Sequence, residues 1–427
     1  MDYQALADSL ASDIASGRLK PGDRLPPQRR FARQRGIASS TAARVYGELV
    51  RRGLAVGEVG RGTYIRASSP VEHALAEPGG APVDLQLNFS VLPGQAELMA
   101  GSLGGVMRAS VLRPSVVGGP SGAVAAAGSL LARDGWVPGS VLFAGNGRQA
   151  IAAAMAALVP AGGRLGVEAI TYPVVKSLAA RLGITLVPLA VDSAGLVVSS
   201  LDTARVQAVY IQPVLHNPLG CNMSAARRVD LAAALADLDI YAIEDSIYSF
   251  LAPVAPVAPS RSIVVDSLSK RLAAGLSVGF LSAPPELVDR VASAVRSGGW
   301  GAQSFAVAAM EAWVGDGVVA RVEEEKRADA LARQALARAR IPGLLGDSRA
   351  YHCWWELPGA WRAETFVAAA ARRGIALSPA AAFAVVPGHA PNAVRLSLAA
   401  PARDVLASAL DTLAGIAGGA PEDVGLE

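Results

Sequence analysis

Lys270 is the residue around which chemistry can be organised. It closes the run Asp266, Ser267, Leu268, Ser269, Lys270, directly after the apolar, β-branched residues 263–265 and before a second apolar run at 276–281. An amine at the end of a buried strand loses hydration, its pKa falls, and its neutral form can attack a carbonyl. Three further places carry groups that complement it. Asp245 and Tyr248 follow the apolar residues 240–243. A carboxylate there is costly to bury without a cation, and the protonated ring nitrogen of a cofactor is one such cation. Asn217 leaves an apolar run through a proline turn (His216, Asn217, Pro218) and offers both a donor and an acceptor. Gly145, Asn146, Gly147, Arg148 and Gln149 stand between an apolar run and an apolar helix. Glycines there permit close approach, and a helix N-terminus presents N–H groups and positive potential to a phosphate.

These groups need a scaffold that brings strand ends together. Short apolar runs at 141–143, 165–167, 184–189, 208–212, 240–244, 263–266 and 276–281 alternate with helical patterns such as 147–158 and 172–182. Alternation of this kind predicts a mostly parallel sheet covered on both faces, with ligands at the carboxyl ends of its strands. After Leu287 the pattern changes to a long helix over 318–340 and a small α+β region with strands at 351–357 and 394–398.

The first 67 residues read differently. Apolar spacing predicts a helix over 3–16, a second through Arg35 after Pro26 and Pro27, and a third capped by Ser39, Ser40 and Thr41 that runs to Arg52. Two short strands, 54–56 and 63–65, flank a glycine-rich tip. Three helices and a β-hairpin form a winged helix-turn-helix. Its third helix would enter the major groove of double-stranded DNA with Ser39, Ser40, Thr41 and Arg44, and Arg29, Arg30, Arg61 and Gly62 would meet the backbone or the minor groove. Twelve Lys/Arg against six Asp/Glu give residues 1–67 a net charge of +6, whereas the whole chain is only +3. A basic module on a slightly acidic body fits an anionic polymer as partner of the module alone. Residues 68–82, rich in Pro, Gly and Ser, read as a linker.

Composition sets the outer bounds. The chain has 427 residues, 52% of them hydrophobic and 18% charged, as expected of a multidomain globular protein. Two cysteines exclude a disulfide framework, and four scattered histidines argue against a metal site. No long charge-free apolar run or leader pattern is visible, so a cytoplasmic protein without a membrane partner is expected.

The module resembles the GntR family of bacterial regulators in the stretches 17–29, 39–49 and 60–65. In that family an arginine usually follows the first cap serine, where this chain has Ser40. The order of phosphate turn, Asn turn, Asp/Tyr strand end, Ser-x-Ser-Lys and late Arg resembles the fold-type I pyridoxal phosphate enzymes, over residues 83–416. Together the two parts resemble the MocR subgroup: a winged helix-turn-helix, then an α/β aminotransferase-like body (83–427) with a small C-terminal α+β subdomain from about 318. The resemblance implies that Lys270 forms a Schiff base with pyridoxal 5'-phosphate, and that Asp245 pairs with the ring nitrogen. It further implies that Asn217 and Tyr248 bond the ring hydroxylate and that Tyr172 stacks on the ring. Gly147, Arg148, Gln149, Ser267 and Ser269 would contact the phosphate, and Arg395 would bind the carboxylate of an amino compound. Ser277 stands where most relatives have a phosphate-clamping arginine; Arg271 or Arg148 could supply the missing charge. Relatives also tend to have Tyr and Arg in the segment matching 116–133, and the stretch 116–128 here lacks both. The implied protein is a cytoplasmic, head-to-tail homodimeric regulator of operator DNA that senses an amino compound or the cofactor itself. An active aminotransferase with an appended DNA-binding module is the alternative.

Overall fold

The computed structural model describes residues 3–419 except 17, 20–22, 53, 59–61 and 66–79. In the N-terminal module, helices Tyr3–Ala15, Gln28–Arg35 and Ser39–Arg51 precede an antiparallel pair of strands, Ala55–Glu58 and Gly62–Ile65. Leu6, Leu10, Phe31, Val45, Tyr46 and Leu49 meet in its core. The Tyr46 hydroxyl donates to the Pro26 carbonyl at 2.6 Å, tying the third helix to the turn before the second. Gly36 ends the second helix at φ +63°, a left-handed conformation that costs glycine little.

One local expectation changes. The third helix is capped by Ala38, which holds the extended conformation (φ −67°, ψ 148°) and gives no side-chain cap. Ser39, Ser40 and Thr41 already form its first turn, and their hydroxyls cap nothing among the described residues. Arg61 and most of the linker lie outside the described residues, and Gly62 opens the second strand of the hairpin.

The body is built on a seven-stranded sheet in the order Leu142–Ala144, Gly279–Ser282, Ser262–Ser267, Tyr241–Asp245, Ala208–Ile211, Arg164–Glu168, Thr185–Leu189. Only Gly279–Ser282 is antiparallel to its neighbours. Alternate residues feed opposite faces. Ile243 and Val265 join the core with Ile151 and Leu158, Val264 and Phe280 pack with Trp313, and Ala242 lies with Leu231 and Leu235. The parallel register places Asp245 beside Val265, so Asp245 and Ser267 leave the sheet at the same end. Gly279 lets its strand press against the start of helix Gly147–Leu158, since a Cβ there would collide with the Asn146 carbonyl.

Helix Val318–Arg340 leads to a three-stranded antiparallel sheet of His352–Glu356, Ala393–Ser397 and Ser378–Pro379, covered by helices Ala363–Arg372 and Arg403–Gly418. Trp355, Trp361, Phe366 and Leu396 fill the core beneath it. Val83–Asp84, the first strand after the linker, pairs in parallel with Ile375–Ala376. The chain therefore enters the body through its C-terminal subdomain and then runs, as an extended strap over residues 85–91, toward the strand ends of the large sheet. Among the described residues no helix is long and apolar enough to cross a membrane.

Candidate functional site

The strand ends, the start of helix Gly147–Leu158, the strap and the small sheet enclose a cavity of about 690 Å³. Ten residues predicted to bind cofactor or ligand line it together: Gly147, Arg148, Tyr172, Asn217, Asp245, Tyr248, Ser267, Ser269, Lys270 and Arg395.

Lys270 lies in the single helical turn Leu268–Arg271, whose start is fixed by the Ser267 hydroxyl accepting from the Ser269 amide at 3.3 Å. Its Nζ donates to the Asn88 carbonyl at 2.5 Å and sits 3.5 Å from the centre of the Phe89 ring. Burial drives its pKa well below the usual lysine value, and the positive charges of Arg395 and Arg148 drive it in the same direction. A second lysine lies beneath. Lys326 is fully buried and donates to the carbonyls of Ser90, Lys270 and Leu272 at 2.7, 3.0 and 2.6 Å. Burial lowers its pKa to about 7. Its place is structural: it pins the strap and the Lys270 turn to helix Val318–Arg340.

Asp245 is 5% exposed, and burial raises its pKa to about 6 against the pull of its hydrogen bonds. Tyr210 donates to its Oδ2 at 2.6 Å and the Ile247 amide to its Oδ1 at 3.2 Å. Among the described residues no cationic side chain pairs with it, which leaves a buried carboxylate facing the cavity and suited to a cation there. Arg395, on the middle strand of the small sheet, is held by Asn217 Oδ1 at 3.0 Å, by the Gln86 carbonyl and by Ser378 Oγ at 3.4 Å. Its guanidinium lies 5.0 Å from the Phe383 ring, and its Nε is buried without a partner among the described residues. An arginine stays charged even here, so its unused donor capacity fits an acidic oxygen of a ligand. Tyr248 accepts from Asn88 Nδ2 at 2.8 Å, and burial raises its pKa. Burial also raises the pKa of Tyr172, against the charge of Arg148 beside it.

Two predicted contacts are not at the cavity. Arg271 turns away from it: the guanidinium is taken up by Asp266 at 2.6 and 3.2 Å, by Glu323 and by the Leu130 carbonyl. Gln149 packs against Gly145, and its amide is bonded at 2.9 Å by the capping Asn146 side chain. Both follow a cavity residue by one position in a helical turn, which points them about 100° away.

Other residues at the site carried no expectation. Tyr210 sits in an apolar strand where it reads as core; only the register beside Ile243, on the same face as Asp245, brings its hydroxyl to the carboxylate. The strap is another part of the site without an expected role. Its carbonyls alternate sides: those of Gln86, Asn88 and Ser90 accept from Arg395, Lys270 and Lys326, while those of Leu85 and Leu87 accept from the amide and hydroxyl of Ser397. The period-two pattern of residues 85–90 was the available signal. In the module, Arg29, Arg30, Ser39, Ser40 and Arg44 are exposed, and Arg44 stacks 4.0 Å from the Tyr3 ring centre.

Comparison with known proteins agrees with this architecture. Residues 137–413 match the family described as aminotransferase class I and II, and the chain belongs to that family. Residues 2–65 match the bacterial regulatory proteins of the gntR family, so the chain has the two-part build of the MocR-type HTH regulators. It is 28% identical over 418 residues to the "Uncharacterized HTH-type transcriptional regulator YdeF" of Bacillus subtilis (strain 168), covering 93% of this chain and 90% of that one. It is 25% identical over 360 residues to the "Probable rhizopine catabolism regulatory protein MocR" of Rhizobium meliloti, covering 74% and 72%. In fold it is similar to a kynurenine aminotransferase of Pyrococcus horikoshii, with a TM-score of 0.72 and 19% identity over 83% of this chain and 94% of that one.

Proposed function

We propose that this chain is a cytoplasmic transcriptional regulator that binds operator DNA through its N-terminal module and holds pyridoxal 5'-phosphate in the cavity of its body. The observation that carries the reading is that one cavity holds both a desolvated Lys270 and a buried Asp245 that has no cationic partner among the described residues. Bound there, the cofactor would supply an aldehyde to hold an amine and a protonated ring nitrogen to oppose a carboxylate. Lys270 would hold the aldehyde, Asp245 the ring nitrogen, Asn217 and Tyr248 the ring oxygen, and Tyr172 one ring face. Arg395 would orient the carboxylate of an amino compound.

The strap supports a sensing role. Lys270 and Arg395, the two groups that a ligand would engage, both donate to carbonyls of residues 86–88, a few positions beyond the linker to the DNA-binding module. A ligand that withdraws either donor changes the partners of that segment, and an effect on DNA affinity requires such a difference between two states. Exposed apolar side chains at Met107, Leu112, Val116 and Phe305 support a homodimer. Their segments are held together by Ser115 donating to the Ala302 carbonyl and Ser304 to that of Arg113.

The test uses the full-length protein. Pyridoxal phosphate is expected to produce a visible absorbance that borohydride fixes at Lys270, and one or more amino compounds to shift both that absorbance and operator affinity. No absorbance and an unmodified Lys270 would end the cofactor reading. Sustained turnover of an amino donor and a keto acid, with operator binding unmoved, would instead identify an enzyme with an appended module.

A further inference from the structure

We propose that the cavity selects an α-amino monocarboxylate with a neutral, apolar side chain, and that Leu87 and Phe89 of the strap, with Ala382 and Phe383 of the loop after strand Ser378–Pro379, form the subsite for that side chain. The inference rests on the cofactor reading above and deepens it by naming the class of amino compound.

Charge matching comes first. Among the described residues that line the cavity, Arg148, Lys270 and Arg395 are the cations and Asp245 is the anion. On the proposed reading each is already matched: Arg148 by a phosphate, Lys270 by the aldehyde, Arg395 by one carboxylate and Asp245 by the ring nitrogen. A second carboxylate on the ligand would find no cation left, and a second ammonium no anion. Either would be buried unpaired, which costs more than its contacts return.

The amides on the wall are spent within the protein. Gln86 Nε2 donates to the Leu377 carbonyl at 2.7 Å, Asn88 Nδ2 to the Tyr248 hydroxyl at 2.8 Å, and Gln212 Nε2 to the Asn217 carbonyl at 3.3 Å. Asn88 Oδ1 accepts from the Ser397 hydroxyl at 3.2 Å. The apolar groups are placed otherwise. Lys270 Nζ lies 3.5 Å from the centre of the Phe89 ring, and the Arg395 guanidinium 5.0 Å from that of Phe383. The two groups that would hold the amine and carboxylate ends of the ligand thus each have an aromatic surface beside them. The side chain of an α-amino acid branches from the carbon that joins those ends, so it starts between the two rings. Leu87 shares a face of the strap with Phe89 by the period of two, and both are half-buried at the cavity. An apolar side chain covering them gains in proportion to the area removed from water.

The full-length protein, supplied with pyridoxal phosphate, is titrated with alanine, norvaline, norleucine, glutamate and lysine. Visible absorbance and unfolding temperature are followed in parallel. Affinity is expected to rise roughly fourfold per added methylene from alanine to norleucine. Glutamate and lysine are expected to bind about tenfold or more weakly than norleucine. Leu87→Arg supplies the missing cation, and should shift the ratio of glutamate to norleucine affinity by on the order of tenfold or more toward glutamate. Glutamate or lysine binding as tightly as norleucine, a flat series from alanine to norleucine, or an unchanged ratio in Leu87→Arg overturns the subsite. So does a cofactor absorbance that none of the five amino acids moves, and in that case the cofactor reading stands alone. If pyridoxal phosphate gives no absorbance while the unfolding temperature still ranks the five in the expected order, the cofactor reading falls and the apolar subsite stands.

Discussion

The two walls of the cavity are made in opposite ways. On the sheet side, each polar group arrives at the end of an apolar strand, and neighbouring register decides which groups meet: Asp245 beside Val265, Tyr210 beside Ile243. On the strap side the contacts are made by the backbone. Three alternate carbonyls each take one N–H donor, from Arg395, Lys270 and Lys326. A side chain at the end of a sheet strand starts from a backbone that the ladder of hydrogen bonds holds in place. A strap carbonyl keeps its partner only while that partner has nothing better to bind. The sheet wall is therefore suited to holding a ligand, and the strap wall to registering that a ligand has come.

The largest expected effect lies on the sheet wall. Lys270→Ala should abolish the visible absorbance and borohydride labelling altogether, while the fold survives, because the side chain is half-buried and its hydrogen bond goes to one carbonyl. If Lys270→Ala kept the fixed absorbance, another amine would be the anchor. Asp245→Asn tests the neighbouring group by pH. The folded carboxyl has a pKa of about 6, above the unfolded value near 3.9, so the folded apo-protein holds the proton more tightly between those limits. The protonated form supports stability at low pH, and that support is lost as pH rises through about 6. Asn mimics the protonated acid, so the variant should be more stable than wild-type apo-protein at pH 8, by on the order of 2 kcal/mol, and about equal to it near pH 4. Urea unfolding at the two pH values decides; a variant less stable at pH 8 would mean that Asp245 is ionised at no cost and already has a cation.

This contrast also explains what could be read from the residues alone. The helix at 147–158 and the strand ends were legible because apolar runs of fixed period stop at a glycine or an acid, and that pattern is local. Helix Val318–Arg340 and helix Gly147–Leu158 occupy the predicted spans, and the sheet strands shift mostly by one or two residues. Arg271 and Gln149 misled because they adjoin cavity residues in sequence, whereas a helical turn separates neighbours by direction. The cap at Ser39 misled by a single position, since any residue with extended dihedrals can stand before a helix. The strap was hidden for a deeper reason. Its working groups are carbonyls, which every residue type carries, and its partners at Ile375–Ala376 and Ser397 lie far away in the chain.

A smaller effect should separate holding from registering. Phe89 belongs to the strap, and its ring lies 3.5 Å from Lys270 Nζ. Phe89→Ala removes a contact worth on the order of 1 kcal/mol to the amine, so pyridoxal phosphate affinity should change by less than about tenfold. On the proposed sensing role, the coupling between amino compound and operator affinity should fall by more than the cofactor affinity does, since the strap would lose a contact to Lys270. Parallel titrations of the variant with cofactor and, in its presence, with operator DNA measure both quantities. Unchanged coupling would show that the strap is only a wall.

The smallest effect is on the module. Arg30 is exposed on the second helix, on the basic module, and should meet a phosphate rather than a base. Arg30→Ala should weaken specific and nonspecific DNA about equally, and should reduce the slope of log affinity against log salt by about 1. Cofactor absorbance should not change, because Arg30 has no part in the cavity. Ser40 gives the internal contrast. It stands exposed at the start of the third helix, its hydroxyl without a hydrogen-bond partner among the described residues, so Ser40→Ala should alter the ranking among operator sequences and leave the salt slope alone. Anisotropy titrations over a salt series, with two sequences per variant, distinguish the two residues. If Arg30→Ala changed the ranking and Ser40→Ala the slope, the second helix rather than the third would lie in the groove.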